Sequence, residues 1–188
     1  MTALFARVLG ADWFALPEPL RRMHDIEGVA TANGRAVVER GRSLAARVIA
    51  AIVGFPSAGL DILVCVRFEP CAGGELWQRT FSERSFSSRL SQHPSGKPGL
   101  IVESFGPFAF TFELVMARHR LSLVPRGWHA AGIPLPLGLA PMGESYEFAD
   151  DRGRFNFHVE IAHPWIGLIV RYRGYLVRVD SGAVAHVR

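Results

Sequence analysis

One short segment of the chain concentrates side chains that could do chemistry. Glu75, Trp77, Arg79 and Phe81 occupy every second position, so a regular strand points all four side chains the same way. If that face is inward, it presents an acid, a stacking aromatic ring and an arginine fork to a cavity. If it faces water, Glu75 and Arg79 form a surface pair worth about 0–1 kcal/mol. Because both aromatic side chains share the face, the pattern favours the inward orientation.

Carboxylates inside apolar strands are a second source of chemistry. A carboxylate in an apolar cavity has a raised pKa and can act as a general acid or base. An inward Arg79 must be paired, and Glu75, Glu103 and Glu160 are the candidate partners. His158 shares a strand face with Glu160. The predicted ligand-binding residues are Glu75, Trp77, Arg79, Glu103, His158 and Glu160.

Familiar cofactor and metal motifs are missing from the sequence. It contains no glycine-rich dinucleotide fingerprint, no phosphate-binding loop and no nucleophile elbow. His158, Glu160 and His163 lack the spacing of a metal site with three or four ligands, so an ordinary polar strand face is the favoured interpretation. We predict neither a cofactor nor a metal. The pattern leaves open whether the protein is an enzyme, and no catalytic residue is assigned.

Charge and hydropathy restrict the partners. The formal net charge is +4, but the 21 basic and 17 acidic residues are interspersed, with no stripe that could follow a phosphate backbone. We therefore predict no nucleic-acid partner. The longest apolar stretch, residues 44–55, is interrupted by Arg47 and is shorter than the roughly 20 residues of a membrane span. No signal-peptide pattern is present. The expectation is a cytoplasmic protein without a transmembrane segment.

Helical spacing is confined to the first third of the chain. Apolar residues on both sides of residues 17–19 predict two short helices, the second ended by Gly28. A third helix is predicted between Ser43, a common N-cap residue, and Gly54. Residues 34–41 fit either a strand or the beginning of this helix. The apolar face of the third helix comprises Leu44, Val48, Ile49, Ile52 and Val53.

From residue 60 onward the apolar residues recur with a period of two. The clearest runs are 60–68, 108–116 and 155–161, and turn-forming stretches separate about eight such strands. No helical pattern lies between them, which predicts an antiparallel meander. A meander of this length curls into a barrel or splits into a sandwich, because both arrangements protect the edge strands.

The predicted fold is therefore mainly β, of the α+β kind, with an antiparallel sheet that is barrel-like or strongly curved. We predict a single domain over residues 1–188. In it, a mostly helical segment, 1–56, packs on the sheet formed by 57–180.

Several motifs together resemble a bacterial family. They are the glycines that bound residues 34–41, the alternating residues of 75–81, and the run from Gly153 through His163 and Pro164 to Gly174. Over nearly its whole length the chain resembles the domain-of-unknown-function family 4166 (DUF4166). The resemblance implies that members occur alone and behind a dehydrogenase-type nucleotide-binding domain, and that this chain is the stand-alone form. It carries over no activity. Turn or bulge positions are the interpretation of Gly153, Pro164, Gly167 and Gly174.

The favoured function is the binding of an apolar small molecule or acyl-type ligand in a barrel-like cavity, with a dehydrogenase-type oxidoreductase as a candidate partner. The hydrophobic content of 49% supports this reading. One alternative is a cofactor-independent isomerase, cyclase or lyase that uses carboxylate and His or Arg groups in the same cavity. Another is a protein-interaction module. A cavity of about 300 Å³ or more favours the first two, and a filled core the third.

Overall fold

A computed structural model describes residues 2–179, so residue 1 and residues 180–188 of the predicted domain lie outside the described range. The helices are α1 (Leu4–Leu9), α2 (Glu18–His24) and α3 (Leu44–Val53), and two short 3-10 turns span Gly10–Ala15 and Leu137–Leu139. The strands are β1 (Ala30–Arg40), β2 (Gly59–Cys71), β3 (Gly74–Phe81), β4 (Arg84–Gln92), β5 (Leu100–Phe105), β6 (Phe108–Ala117), β7 (Arg120–Ala130), β8 (Ile133–Leu135), β9 (Ser145–Ala149), β10 (Phe155–His163) and β11 (Gly167–Val179).

Ten of these strands form a closed antiparallel barrel. The order is β6-β5-β4-β3-β2-β1-β11-β10-β9-β7, and β6 also pairs with β7, which closes the ring; β8 adds to β7 outside it. The predicted fold class is confirmed, and the structure selects the barrel over the sandwich. The estimate of about eight strands was low. The sequence pattern at β1 fitted either a strand or a helix. The pattern did not predict the five-residue β9 or the three-residue β8, which contains Pro134.

The seam between β1 and β11 brings two backbones unusually close. A Cβ atom on Gly174 would lie 2.0 Å from the carbonyl oxygen of Arg35, and one on Gly34 would lie 1.8 Å from that of Tyr175. The interpretation of Gly174 as a turn or bulge residue was therefore wrong, because it lies in the middle of β11 in regular register. Gly153 and Gly167 do have the positive φ values of turn residues.

Helices α1 and α2 close one end of the barrel, which we call the α2 end. Their apolar side chains are buried against the inner face of the strands, and they include Leu4, Phe5, Val8, Leu20 and Met23. The backbone N–H of Gly99 donates to the carbonyl of Val8 over 2.8 Å, which ties α1 to the turn before β5. Apolar residues at helical spacing thus form the floor of the barrel interior.

Helix α3 lies at the opposite end, which we call the α3 end. The Ser43 hydroxyl accepts from the N–H of Ala46 over 3.2 Å, and Gly54 ends the helix in the left-handed conformation. The helix buries its small side chains, Ala46 and Ala50. Ile49 and Val53 pack against the core, but Leu44, Val48 and Ile52 are exposed, so the predicted apolar face is only partly a packing face. Within residues 2–179, no helix is long and apolar enough to span a membrane.

Candidate functional site

The barrel interior is not completely filled. It retains a cavity of about 150 Å³, whose wall is mainly aromatic and aliphatic. Met142 belongs to this wall and is also exposed, so the cavity reaches the surface at the α3 end. The aromatic wall residues include Phe68, Phe81, Phe110, Phe112, Phe155 and Phe157.

Strand β3 contributes the alternating residues that the sequence singled out. It pairs in unbroken register with β2 on one side and β4 on the other, so the alternation is preserved along its length. Trp77, Arg79 and Phe81 line the cavity, and Glu75 is buried beneath Trp77. The four side chains share the inner face of the barrel.

Arg79 is paired with Glu103 of β5. Its Nη2 donates to Glu103 Oε1 over 3.0 Å, and its Nη1 donates to the Ser88 hydroxyl over 2.6 Å. The same hydroxyl donates to Glu103 Oε1 over 2.6 Å. The two charged side chains are only 13% and 11% exposed. The sequence predicted a pair for Arg79 with three candidate partners, and the structure selects Glu103.

The guanidinium of Arg79 retains unused hydrogen-bonding capacity. An arginine side chain has five N–H donors, and the described residues accept from it at two points, Ser88 and Glu103. Its central carbon also lies 4.9 Å from the centre of the Trp77 ring, in cation–π contact. The aromatic contact orients the group, and the remaining donors are available to an acceptor in the cavity.

Tyr172 of β11 brings a hydroxyl to the same cavity. Its ring packs edge-on against Phe81 at 5.2 Å and Phe157 at 6.1 Å between ring centres. Burial raises the pKa of Tyr172 to about 12, and the nearby Arg79 opposes this shift. The phenol therefore stays neutral at physiological pH and keeps an O–H group that can donate a hydrogen bond.

Glu75 is occupied by contacts within the fold. Its Oε1 accepts from the backbone N–H of Leu4 over 3.2 Å, and its Oε2 accepts from Trp77 Nε1 over 2.9 Å. Leu4 is the first residue of α1, so the carboxylate supplies an acceptor to one of the unpaired N–H groups of that helix. This arrangement attaches the barrel floor to β3.

His158 and Glu160 are not brought together with the Arg79–Glu103 pair. They border the cavity, but they alternate with the inward Phe157 and Val159 of β10. The His158 ring stacks on Tyr146 at 4.8 Å, and burial lowers its pKa. Glu160 accepts from Arg171 Nε over 2.7 Å, and Arg171 also donates to Glu39 over 2.9 Å. Glu160, Arg171 and Glu39 thus form consecutive ion pairs across β10, β11 and β1, separate from the Arg79–Glu103 pair.

A second polar pair inside the barrel was missed from the sequence. His24 Nε2 lies 2.6 Å from Glu147 Oε2, and Glu147 lines the cavity. His24 is fully buried and stacks on Phe5, with 3.8 Å between the ring centres. Its Nδ1 is buried without a hydrogen-bond partner among residues 2–179. The available signal was a histidine within the apolar stripe of α2. Glu147 gave none, because β9 was not predicted.

The described residues contain no cluster of three or more His, Cys, Asp or Glu side chains that could hold a metal ion. The Arg79–Glu103 pair, Tyr172 and Glu147 are polar groups that line the cavity, and Ser145, Tyr146, His158 and Glu160 also border it. Aromatic and aliphatic side chains provide most of the remaining wall.

Fold and site together define the class: a closed antiparallel β-barrel with N-terminal helices and a small, mainly apolar internal cavity. The chain belongs to the family described as Domain of unknown function (DUF4166), whose model matches residues 16–176. The resemblance seen in the sequence is thereby confirmed. No function is assigned to this family. Comparisons with the curated proteins and with the solved structures gave no significant match.

Proposed function

We propose that the barrel binds a small apolar molecule, or the end of an acyl-type ligand, through an uncharged polar group placed beside Arg79 and Glu103. The observation that carries the proposal is a cavity that combines an apolar wall with a buried guanidinium whose donors are only partly used. Binding pockets characteristically join an apolar lining with a few placed polar groups.

The cavity volume limits the ligand. Drug-sized pockets measure roughly 300–1,000 Å³, whereas an engineered cavity of about 150 Å³ binds benzene. The observed cavity of about 150 Å³ is smaller than the roughly 300 Å³ that would favour ligand binding or catalysis, yet the core is not filled either. We infer that the occupant either is compact or inserts only one end, with the remainder at the opening beside Met142.

The charged side chains at the cavity restrict which polar group the ligand can carry. Arg79 is already neutralised by Glu103, and Glu147 adds a further carboxyl group to the wall. A free carboxylate would enter beside these acids without a cation of its own. An ester, ketone or alcohol oxygen can instead accept from the spare N–H groups of Arg79 or from the Tyr172 hydroxyl without adding charge.

The test compares methyl hexanoate with hexanoate by calorimetric titration of the full chain. The ester should bind and the carboxylate should bind more weakly. Val159→Phe places a larger side chain on the cavity wall and should abolish binding, whereas Val177→Phe on the exposed face of β11 should not. Circular dichroism and thermal melts check that both variants fold. Preferred binding of hexanoate, or unchanged binding in folded Val159→Phe, would contradict the proposal.

A second candidate function rests on the His24–Glu147 pair. Glu147 lines the cavity, and its Oε2 lies 2.6 Å from Nε2 of the buried His24. A carboxylate paired with an imidazole in a cavity is an arrangement used in general acid–base catalysis. It supports the reading of a cofactor-independent isomerase, cyclase or lyase. Native mass spectrometry of protein purified from cells should first identify a bound compound. That compound should then incorporate deuterium from heavy water with the parent protein and not with Glu147→Gln. A lack of exchange in the parent would remove this candidate.

A further inference from the structure

Exposed apolar side chains are gathered at one end of the barrel. Fifteen large hydrophobic residues are exposed among residues 2–179, and only Phe14, Val29, Val177 and Val179 lie towards the α2 end. The other eleven lie at the α3 end, in α3, β2, β6, β10–β11 and the β7–β9 connection. They are Leu44, Val48, Ile52, Leu60, Leu63, Phe108, Ile133, Leu137, Leu139, Met142 and Trp165.

Helix α3 shows that this exposure is built into the fold. Leu44, Val48 and Ile52 follow one another at intervals of four residues and therefore form a single stripe. The helix turns its alanines to the barrel and this stripe outward; Ile52 is 80% exposed. Trp165, in the turn between β10 and β11, is 79% exposed. Large apolar patches of this kind mark contacts with proteins or membranes.

Arginines without carboxylate partners border the apolar stripe. Arg40, Arg42, Arg47 and Arg84 line a surface depression of about 490 Å³, and no acidic residue of the range 2–179 lines it. Arg47 lies on α3 beside the exposed stripe. Among the described residues, Arg42, Arg47 and Arg84 form no ion pair. The carboxylates that stand nearest in the chain, Glu39, Asp61 and Glu83, do not line the depression. Glu39 pairs with Arg171, and Asp61 pairs with Arg35.

Backbone carbonyls hold the side chain of Arg40 in place and leave part of its hydrogen-bonding capacity unused. Its Nη1 donates to the carbonyls of Phe55 over 3.0 Å and Pro56 over 2.7 Å. Its Nε is buried and has no hydrogen-bond partner in the part of the chain that the structure describes. Burial and the neighbouring Arg84 both lower the pKa of Arg40, so the cluster is a concentrated positive charge that an anion would stabilise.

We propose that the α3 end of the barrel docks on a bilayer that contains anionic lipids. The α3 stripe and Trp165 would enter the boundary between headgroups and acyl chains, and the arginines would contact lipid phosphates. Interfacial helices combine these features: an apolar face, flanking cations and aromatic residues at the headgroup level. Basic side chains near an anionic leaflet gain further attraction from its surface potential.

The distribution of the residues favours a membrane over the other occupants. The apolar groups come from separate segments at one end of the barrel, a distribution that suits an extended surface better than a single helix or strand of a partner. Aliphatic side chains would gain nothing from a nucleic acid. In a dimer formed through this face, the arginines of the two copies would lie close together without carboxylates of the depression to pair with them. The inference does not depend on the proposed ligand, although docking would place the cavity opening at Met142 against the membrane.

The test is co-sedimentation of the full chain with vesicles at about 0.1 M salt, where screening is moderate. Vesicles of equimolar phosphatidylcholine and phosphatidylglycerol should bind the protein, and pure phosphatidylcholine vesicles should bind it much more weakly. Each arginine near the surface is worth about fivefold in affinity. Arg42→Gln/Arg47→Gln should therefore weaken binding roughly 25-fold. Arg118→Gln/Arg152→Gln at the α2 end removes the same charge and should change it less than about twofold.

The apolar contribution is tested by a second pair of variants. Ile52→Gln/Trp165→Gln should weaken vesicle binding at least about tenfold, whereas Phe14→Gln/Val29→Gln at the α2 end should leave it unchanged. All of these positions are exposed, and thermal melts verify that the variants fold. Equal binding to neutral and anionic vesicles, equal losses in the control variants, or no vesicle binding would overturn the proposal. So would a dimer in light scattering that Ile52→Gln/Trp165→Gln abolishes while the parent ignores vesicles.

Discussion

Replacing Arg79 by methionine removes the guanidinium but keeps an unbranched side chain that can fill most of the same space. Glu103 then loses the one cationic partner that it has among the described residues and retains the Ser88 hydroxyl. Both charged side chains are largely shielded, with exposures of 13% and 11%. Breaking one side of such a buried pair costs roughly 3–5 kcal/mol, because the other charge is left without compensation. Since Ser88 remains, we expect about 3 kcal/mol.

Urea denaturation followed by circular dichroism measures this loss, and a thermal melt supports it. For a domain of this length, about 3 kcal/mol corresponds to a melting temperature roughly 6–12 °C lower. Arg126→Met is the matched control. Arg126 pairs with Glu113, but the two side chains are 54% and 38% exposed, so the loss should stay under about 1 kcal/mol.

A double variant separates the stranded charge from lost packing. In Arg79→Met/Glu103→Gln the carboxylate is replaced by a neutral amide that can still accept from Ser88, so most of the lost stability should return. If Arg79→Met melts within a degree or two of the parent, the pair is not shielded from water and our reasoning about this face is wrong. If the double variant is as unstable as the single one, packing rather than charge explains the loss.

Three further predictions concern the barrel interior. Because the pKa of Tyr172 is raised to about 12, the stabilising effect of its neutral form is complete below about pH 10 and is lost between about pH 10 and 12. In urea titrations, the free energy of unfolding should therefore fall less between pH 8 and pH 11 in Tyr172→Phe than in the parent. His24→Phe removes the one hydrogen-bond partner of Glu147 in the described residues and should cost about 1–3 kcal/mol in urea titrations, a loss that adding Glu147→Leu should largely reverse. Gly174→Ala should cost at least about 1–3 kcal/mol because its Cβ meets a backbone oxygen, whereas Gly28→Ala, with open space around it, should melt like the parent.

Local patterns determined much of this fold. Period-two alternation sets which residues of β3, β6 and β10 face inward, because a regular strand has no other way to place successive side chains. Turn residues fixed the antiparallel connections, and edge protection made a barrel one of two solutions. The inward placement of Trp77 and Phe81 followed from the same argument. The need of Arg79 for a carboxylate partner followed from the cost of burying a charge.

Tertiary structure decided which residues meet. Glu103 rather than Glu75 pairs with Arg79, since strand order and register place β5 across β4 from β3, while Glu75 is taken up by the first N–H of α1. His24 meets Glu147 across 123 positions of sequence, a contact that no local pattern encodes. The sequence also did not determine whether the α3 stripe is exposed. A helix with small apolar side chains on one face and large ones on another can bury either face. Here α3 buries Ala46 and Ala50 and packs Ile49 and Val53 against the core, while Leu44, Val48 and Ile52 remain outside.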